Sequence, residues 1–121
     1  MPRILLVEDN ELNRDSLSRL LQRHGLDVIF AVDGEEGVRV ALAERPDLVL
    51  MDIGLPLMDG FDATQALRAQ GGAMPIIALT AHALQSDQAR ALSVGCNDFE
   101  AKPVEFQRLL GKIKKLLGME P

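Results

Sequence analysis

The sequence predicts a doubly wound α/β domain, with five parallel strands and helices packed on both faces of the sheet. Three observations predict it. Runs of four or five largely apolar residues recur along the chain, as strands buried on both faces require. A segment of helical periodicity follows each run after a short connection, which implies right-handed crossovers between parallel strands. Most of the runs end in polar residues at the strand C-termini, where open parallel sheets bind their ligands. Five units are too few for a closed eight-stranded barrel, and no glycine-rich phosphate loop follows the first run, so no bound nucleotide is expected.

Residues 4–7, ILLV, form the first strand, and Glu8, Asp9 and Asn10 suit a strand end and a helix N-cap. Leu17, Leu20 and Leu21 then share a helix face, which Gly25 stops after His24. Residues 28–32 form the second strand. Asp33 and Gly34 turn into a helix whose inner side is Val38, Ala41 and Leu42 and which Pro46 closes. The third strand, 48–51, ends in Asp52, and Gly54 and Pro56 mark the loop beyond it. A helix with Ala63, Ala66 and Leu67 on one side runs to the Gly71, Gly72 pair. Pro75 opens the fourth strand, 76–79, which delivers Thr80, and the next helix stops near Gly95. Residues 98–101 are the least apolar strand. Lys102 and Pro103 end it, and Phe106, Leu109, Leu110, Ile113, Leu116 and Leu117 mark the most regular amphipathic helix of the chain.

A chain of 121 residues fits one domain, 1–121, and leaves no room for a separate output module. The formal net charge of −5 disfavours nucleic acid and anionic membranes, both of which need a basic surface, so protein partners are expected. The run 4–7 is too short for a signal peptide or a membrane span, which points to the cytoplasm. Cys96 is the only cysteine and has only His24 and His82 for company, so it reads as a structural thiol.

Glu8 and Asp9 follow the first strand, Asp52 the third, Thr80 the fourth and Lys102 the fifth. If the strand order is 2-1-3-4-5, the first and third strands are neighbours and bring three carboxylates together. Like charges so close call for a cation, and hard oxygen ligands suit Mg²⁺. Lys102 and Thr80 then supply a positive charge and a hydroxyl for phosphoryl oxygens. The combination favours phosphoryl transfer onto a carboxylate, without deciding which carboxylate is the nucleophile.

The segments ILLVEDN, LVLMDIGLPLMDG, IIALTA and AKP occur in an order and spacing that resemble the receiver domain of the two-component response-regulator family, over essentially the whole chain. The resemblance implies a flavodoxin-like fold, and the order 2-1-3-4-5 is that of the family too. It also implies that Asp52 is the phosphoacceptor, that Glu8, Asp9, Asp52 and the Gly54 carbonyl hold Mg²⁺ or Mn²⁺, and that Lys102 contacts the phosphoryl group. Thr80 and Phe99 would be the switch pair, and Pro103 falls where the family has a cis peptide. The donor would be a histidine kinase or a histidine phosphotransfer protein. The protein would act as a signalling switch, catalysing only its own phosphorylation and slow dephosphorylation. It would report to a downstream protein through the face of the fourth helix, fifth strand and fifth helix, which includes Lys112.

A phosphatase that forms an aspartyl phosphate usually carries a second Asp two residues after the nucleophile, a position held here by Gly54. Receiver-like adaptors that are never phosphorylated commonly lose an acidic residue or the lysine, all of which this chain keeps. VEDNELNR and ALTAHA resemble both single-domain regulators and receivers of hybrid histidine kinases, and the start at Met1 favours a stand-alone regulator. His82 is expected on the rim of the site, either influencing hydrolysis or simply facing solvent.

Overall fold

The computed structural model describes residues 1–81 and 85–119, so His82 lies outside the described residues. Strands and helices alternate as β1 (Arg3–Val7), α1 (Glu11–Arg23), β2 (Asp27–Ala31), α2 (Gly34–Glu44), β3 (Leu48–Asp52), α3 (Gly60–Ala69), β4 (Ile76–Thr80), α4 (Gln85–Ser93), β5 (Asp98–Ala101) and α5 (Phe106–Leu117). Every strand pairing is parallel and the sheet order is β2-β1-β3-β4-β5, the order expected from the sequence.

Successive side chains of a strand point to opposite faces, and both faces are covered here. Leu5, Val7, Val49, Met51, Ile76 and Ala78 pack with Val38 and Ala41 of α2 and with Phe61, Ala63 and Leu67 of α3. Ile4, Leu6, Leu48, Leu50, Ile77 and Leu79 pack with Leu21 of α1 and with Leu109, Leu110 and Ile113 of α5. The unbroken apolar runs of β1, β3 and β4 follow from this two-sided burial.

Side-chain oxygens cap the helices where the sequence offers acids and amides. Asn10 accepts from the Asn13 N–H (3.0 Å), Asp33 from Glu36 (2.8 Å), Asp59 from Asp62 (2.8 Å) and Glu105 from Arg108 (2.7 Å). β1 begins one residue earlier than the sequence reading, at Arg3, and β2 and the end of α2 differ from it as well. β2 begins at Asp27, whose N–H donates to the Pro2 carbonyl (2.8 Å), and ends before Val32, whose N–H turns to the Glu36 carboxylate (3.0 Å). The second helix is closed by Arg45, in the left-handed conformation (φ 49°) with its N–H on the Ala41 carbonyl, and Pro46 only follows it.

Arg68 fastens the far end of the sheet. From α3 its guanidinium donates to the carbonyls of Gly72, Met74 and Gly95 and to the Asn97 side chain, at 2.7 to 3.0 Å. At the opposite end the chain leaves β3, reverses through a tight turn at Leu57 (φ 67°) and returns so that the Gly60 N–H reaches the Ile53 carbonyl (3.1 Å). A Cβ on Gly60 would lie 2.3 Å from the Asp52 carbonyl oxygen and 2.8 Å from the Ile53 Cα. Only a residue without a side chain lets α3 start directly against the end of β3. Gly60→Ala is therefore expected to destabilise the fold by about 1–3 kcal/mol through overpacking against backbone. The urea midpoint measures this, and an unchanged midpoint would show that the loop yields without cost.

Candidate functional site

The parallel register sets the level at which each polar residue emerges. Val7 pairs with Met51, Asp52 with Leu79 and Thr80 with Ala101, so Glu8, Asp52, Thr80 and Lys102 arrive together at the C-terminal edge of the sheet. Glu8, Asp52 and Thr80 are buried, Lys102 is half-buried and Asp9 is exposed. The Lys102 ammonium lies 2.9 Å from Asp52 Oδ1 and 3.6 Å from Glu8 Oε2. The Gly54 N–H also donates to Asp52 Oδ1 (3.0 Å).

Two residues that the sequence reading did not single out support Glu8 from α1. Asn13 Nδ2 donates to Glu8 Oε1 (3.1 Å), and Arg14 Nη1 donates to the backbone carbonyls of Glu8 (3.0 Å) and Asp9 (3.4 Å). Their signal was only that polar side chains in the first turn of a helix can fold back over the strand end before it. Glu8 Oε2 is left buried with no hydrogen-bond donor.

Burial pushes the Glu8 carboxyl up, and its hydrogen bond to Asp52 and the charge of Asp52 push it further, to about 7. Asn13 and Lys102 pull the other way and do not prevail. Burial pushes Asp52 up as well, but its hydrogen bonds with Glu8, Lys102 and the Gly54 N–H outweigh this and hold it below the usual carboxylate range. The two neighbouring carboxyls are thus pushed in opposite directions, Glu8 up and Asp52 down.

The donor set suits a divalent cation. One carboxylate oxygen from each of Glu8, Asp9 and Asp52 falls within a cluster no wider than 4.8 Å, and Glu8 Oε2 is buried without a hydrogen-bond partner. Such hard oxygen ligands fit Mg²⁺ or Mn²⁺.

The remaining expected residues lie along β5. The Lys102–Pro103 peptide bond is cis. Phe99 is half-buried on the face of β5 that packs into the α2–α3 layer. Lys112 of α5 donates to the Phe99 carbonyl (2.5 Å), and its ammonium sits 5.2 Å from the centre of the Phe99 ring. Glu100 was missed by the sequence reading. Only 2% exposed, it meets Arg108 at 2.6 Å and Lys112 at 3.1 Å. An acid inside a short strand was its one signal, and nothing in the spacing points to those partners in α5. Cys96 is buried beside the Thr64 hydroxyl (3.7 Å), and burial pushes its thiol up, as for a structural cysteine.

A groove of about 580 Å³ leads away from Glu8 and Lys102 between α1 and α5, floored by Leu6 and Leu79 and walled by Leu17, Leu20, Val104 and Phe106.

Comparison with known proteins gives this arrangement a context. The family pattern described as response regulator receiver domain matches residues 4–114. The transcriptional regulatory protein PrrA of Mycobacterium tuberculosis is 37% identical over 116 residues, which cover 96% of this chain and 50% of that protein. The hybrid signal transduction histidine kinase G of Dictyostelium discoideum is 38% identical over 112 residues, 88% of this chain and 3% of that one. The chain thus spans about half the length of the transcriptional regulators it matches, and a small part of the kinase. Among solved structures, the receiver domain of the sensor histidine kinase PA1611 of Pseudomonas aeruginosa PAO1 superposes with a TM-score of 0.89 at 42% identity, covering 97% of this chain and 98% of that one. That structure has a magnesium ion coordinated in its active-site cleft.

The Glu100 cluster carries its own pH signature. Burial raises the Glu100 carboxyl, but the hydrogen bonds and charges of Arg108 and Lys112 outweigh it and leave it below the ordinary value of 4.5. A folded-state value below the unfolded one gives stability that is present above about 4.5 and is lost as pH falls through the lower, folded value. Glu100→Gln is therefore expected to unfold at a lower urea concentration at neutral pH and to lose less stability on acidification than the wild type. Parallel acid limbs for the two proteins would show that Glu100 is not linked to folding.

Proposed function

The chain belongs to the response regulator receiver family, and from that premise we propose that Asp52 is its phosphoacceptor, charged from a phosphohistidine of a histidine kinase or a histidine phosphotransfer protein in a reaction that needs Mg²⁺ or Mn²⁺. Receiver domains take phosphoryl groups from histidine kinases and act as signalling switches. The observation that carries the assignment is a buried carboxylate kept ionised 2.9 Å from one ammonium, with two more carboxylates beside it. We read residues 1–121 as one such domain, working in the cytoplasm; among the described residues no helix is long and apolar enough to cross a membrane.

In the transfer step an Asp52 carboxylate oxygen attacks phosphorus. The P–N bond breaks with its electron pair going to the donor nitrogen, and because the other ring nitrogen holds the proton, neutral imidazole leaves. Lys102, already poised on Asp52, offsets the charge that gathers on the phosphoryl oxygens. A divalent cation held by Glu8, Asp9, Asp52 and the Gly54 carbonyl supplies the rest of that charge when bound. Asn13 and Arg14 hold Glu8 and the backbone of Asp9 in place for it. The Thr80 hydroxyl then meets a phosphoryl oxygen, Phe99 follows it, and the face formed by α4, β5 and α5 changes for a downstream protein. The apolar groove beside Lys102 gives a protein donor a surface to rest on.

Incubation with acetyl phosphate and Mg²⁺ is expected to add one phosphoryl group by intact-mass spectrometry, and Asp52→Ala to abolish the gain. An unchanged wild-type mass at saturating donor would overturn the assignment. Mg²⁺ at a hundred times its Kd should stabilise the fold by about 2.7 kcal/mol, as binding to the folded state alone requires. Chelation should reverse this, and Asp9→Ala, at an exposed position, should remove most of it while leaving the metal-free stability unchanged within about 0.5 kcal/mol. Lys102→Ala should keep Mg²⁺ binding, because a cation repels the ammonium, yet lose the amide-shift response at Phe99 to phosphorylation. A large fall in Mg²⁺ affinity in that variant would assign Lys102 a different role.

A further inference from the structure

The two carboxylate oxygens of the buried Glu8 meet different surroundings. Oε1 accepts from Asn13 Nδ2 of α1 at 3.1 Å. Oε2 is buried with no hydrogen-bond partner, and the Lys102 ammonium stands 3.6 Å from it. Because Lys102 also touches Asp52, Oε2 is the oxygen on the side of the acidic cluster, while Oε1 is turned toward α1. The carboxylate cannot rotate from this setting without breaking its bond to Asn13. Asp52 is restrained through one oxygen as well, since Lys102 and the Gly54 N–H both meet Oδ1.

The helix itself does not need this asparagine. Its N-terminus is capped by Asn10, whose side chain accepts from the backbone N–H of Asn13 at 3.0 Å, a bond open to any residue but proline at position 13. Asparagine is a poorer helix former than alanine or leucine. Asn13 is also exposed, so the core does not select it. Its side chain donates to a buried carboxylate of the candidate metal site, and a donor behind a metal ligand fixes the orientation of that ligand.

We propose that Asn13 is a positioning residue that sets the ion selectivity of the site: by holding Oε1 it confines Glu8 to a single ligating oxygen, which favours Mg²⁺ over Ca²⁺. The proposal deepens the cation reading given above and rests on it. The two ions differ in what they ask of a carboxylate. Mg²⁺ demands a near-ideal octahedron at about 2.0–2.1 Å, and the narrow bite of a chelating carboxylate departs from its right angles. Ca²⁺ takes six to eight oxygens at about 2.3–2.6 Å in a flexible shell and accepts carboxylates through both oxygens. Chelation by Glu8 would require the Asn13 bond to break, a penalty that falls on Ca²⁺ and not on Mg²⁺.

The test is calorimetric titration of the full chain with Mg²⁺ and, separately, with Ca²⁺, at one pH and ionic strength. The quantity read is the ratio of the Ca²⁺ Kd to the Mg²⁺ Kd. Asn13→Leu keeps the bulk of the side chain and removes its donor, and it is expected to lower this ratio by about tenfold, the size of effect seen when a ligand loses the partner behind it. Asn13→Gln keeps a donor on a longer arm and should recover most of the ratio. Metal-free urea unfolding of each variant checks that it is folded. An unchanged ratio in Asn13→Leu would overturn the proposal, whether both affinities stay the same or fall together. In the second case Asn13 supports Glu8 without choosing the ion. A ratio as low in Asn13→Gln as in Asn13→Leu would also overturn it, because the donor would then not be what matters. Wild type that binds neither ion up to about 50 mM would remove the cation site and this proposal with it. Mg²⁺ binding by wild type together with an unchanged ratio in Asn13→Leu would remove the selectivity proposal alone.

Discussion

Two carboxylates lie buried side by side at the end of this sheet, and one ammonium faces both. Glu8 and Asp52 emerge from directly paired strands, and an uncompensated charge in such a place costs several kcal/mol. Lys102 faces both, close to Asp52 and farther from Glu8, and so offsets one negative charge of the two. The site thus holds more carboxylate than ammonium, a donor set that suits a hard divalent cation.

The surroundings hold the two sides of this arrangement by different means. β3 is buried along its whole length, and Gly60 lets α3 begin directly against the Asp52 carbonyl, so the carboxylate has little freedom to move. Arg68 locks the opposite end of the sheet through four acceptors. β5 is different. It is a four-residue edge strand whose alternate side chains serve opposite faces, with Glu100 held by α5 and Phe99 packed toward α4. Lys112 spans both by holding the Phe99 carbonyl and the Glu100 carboxylate.

The alternation of strand and helix was legible in the sequence because burial on both faces removes every polar residue from a central strand, leaving runs such as ILLV and LVLM that stop abruptly. For the same reason a polar residue at the end of such a run stands out, so the sequence alone gathers Glu8, Asp9, Asp52, Thr80 and Lys102 into one set. Strand termini and helix caps are local: they depend on residues a few positions apart, and sequence records them well. Even so, Val32 left its strand for Glu36, and Arg45 took a left-handed cap usually given to glycine, because a nearby hydrogen bond outweighed intrinsic preference.

What the sequence determined by itself was which side chains are available at the strand ends and that their chemistry suits a cation and a phosphoryl group. Tertiary structure decided which of them touch, and therefore which way their ionisation shifts. Burial and the neighbouring Asp52 push the Glu8 carboxyl up, whereas hydrogen bonds with Glu8, Lys102 and the Gly54 N–H hold Asp52 down. Glu100 finds Arg108 and Lys112 only because α5 packs back across β5. Periodicity encodes the geometry of one element, whereas distances between elements are fixed by strand order and packing, and electrostatics depends on those distances.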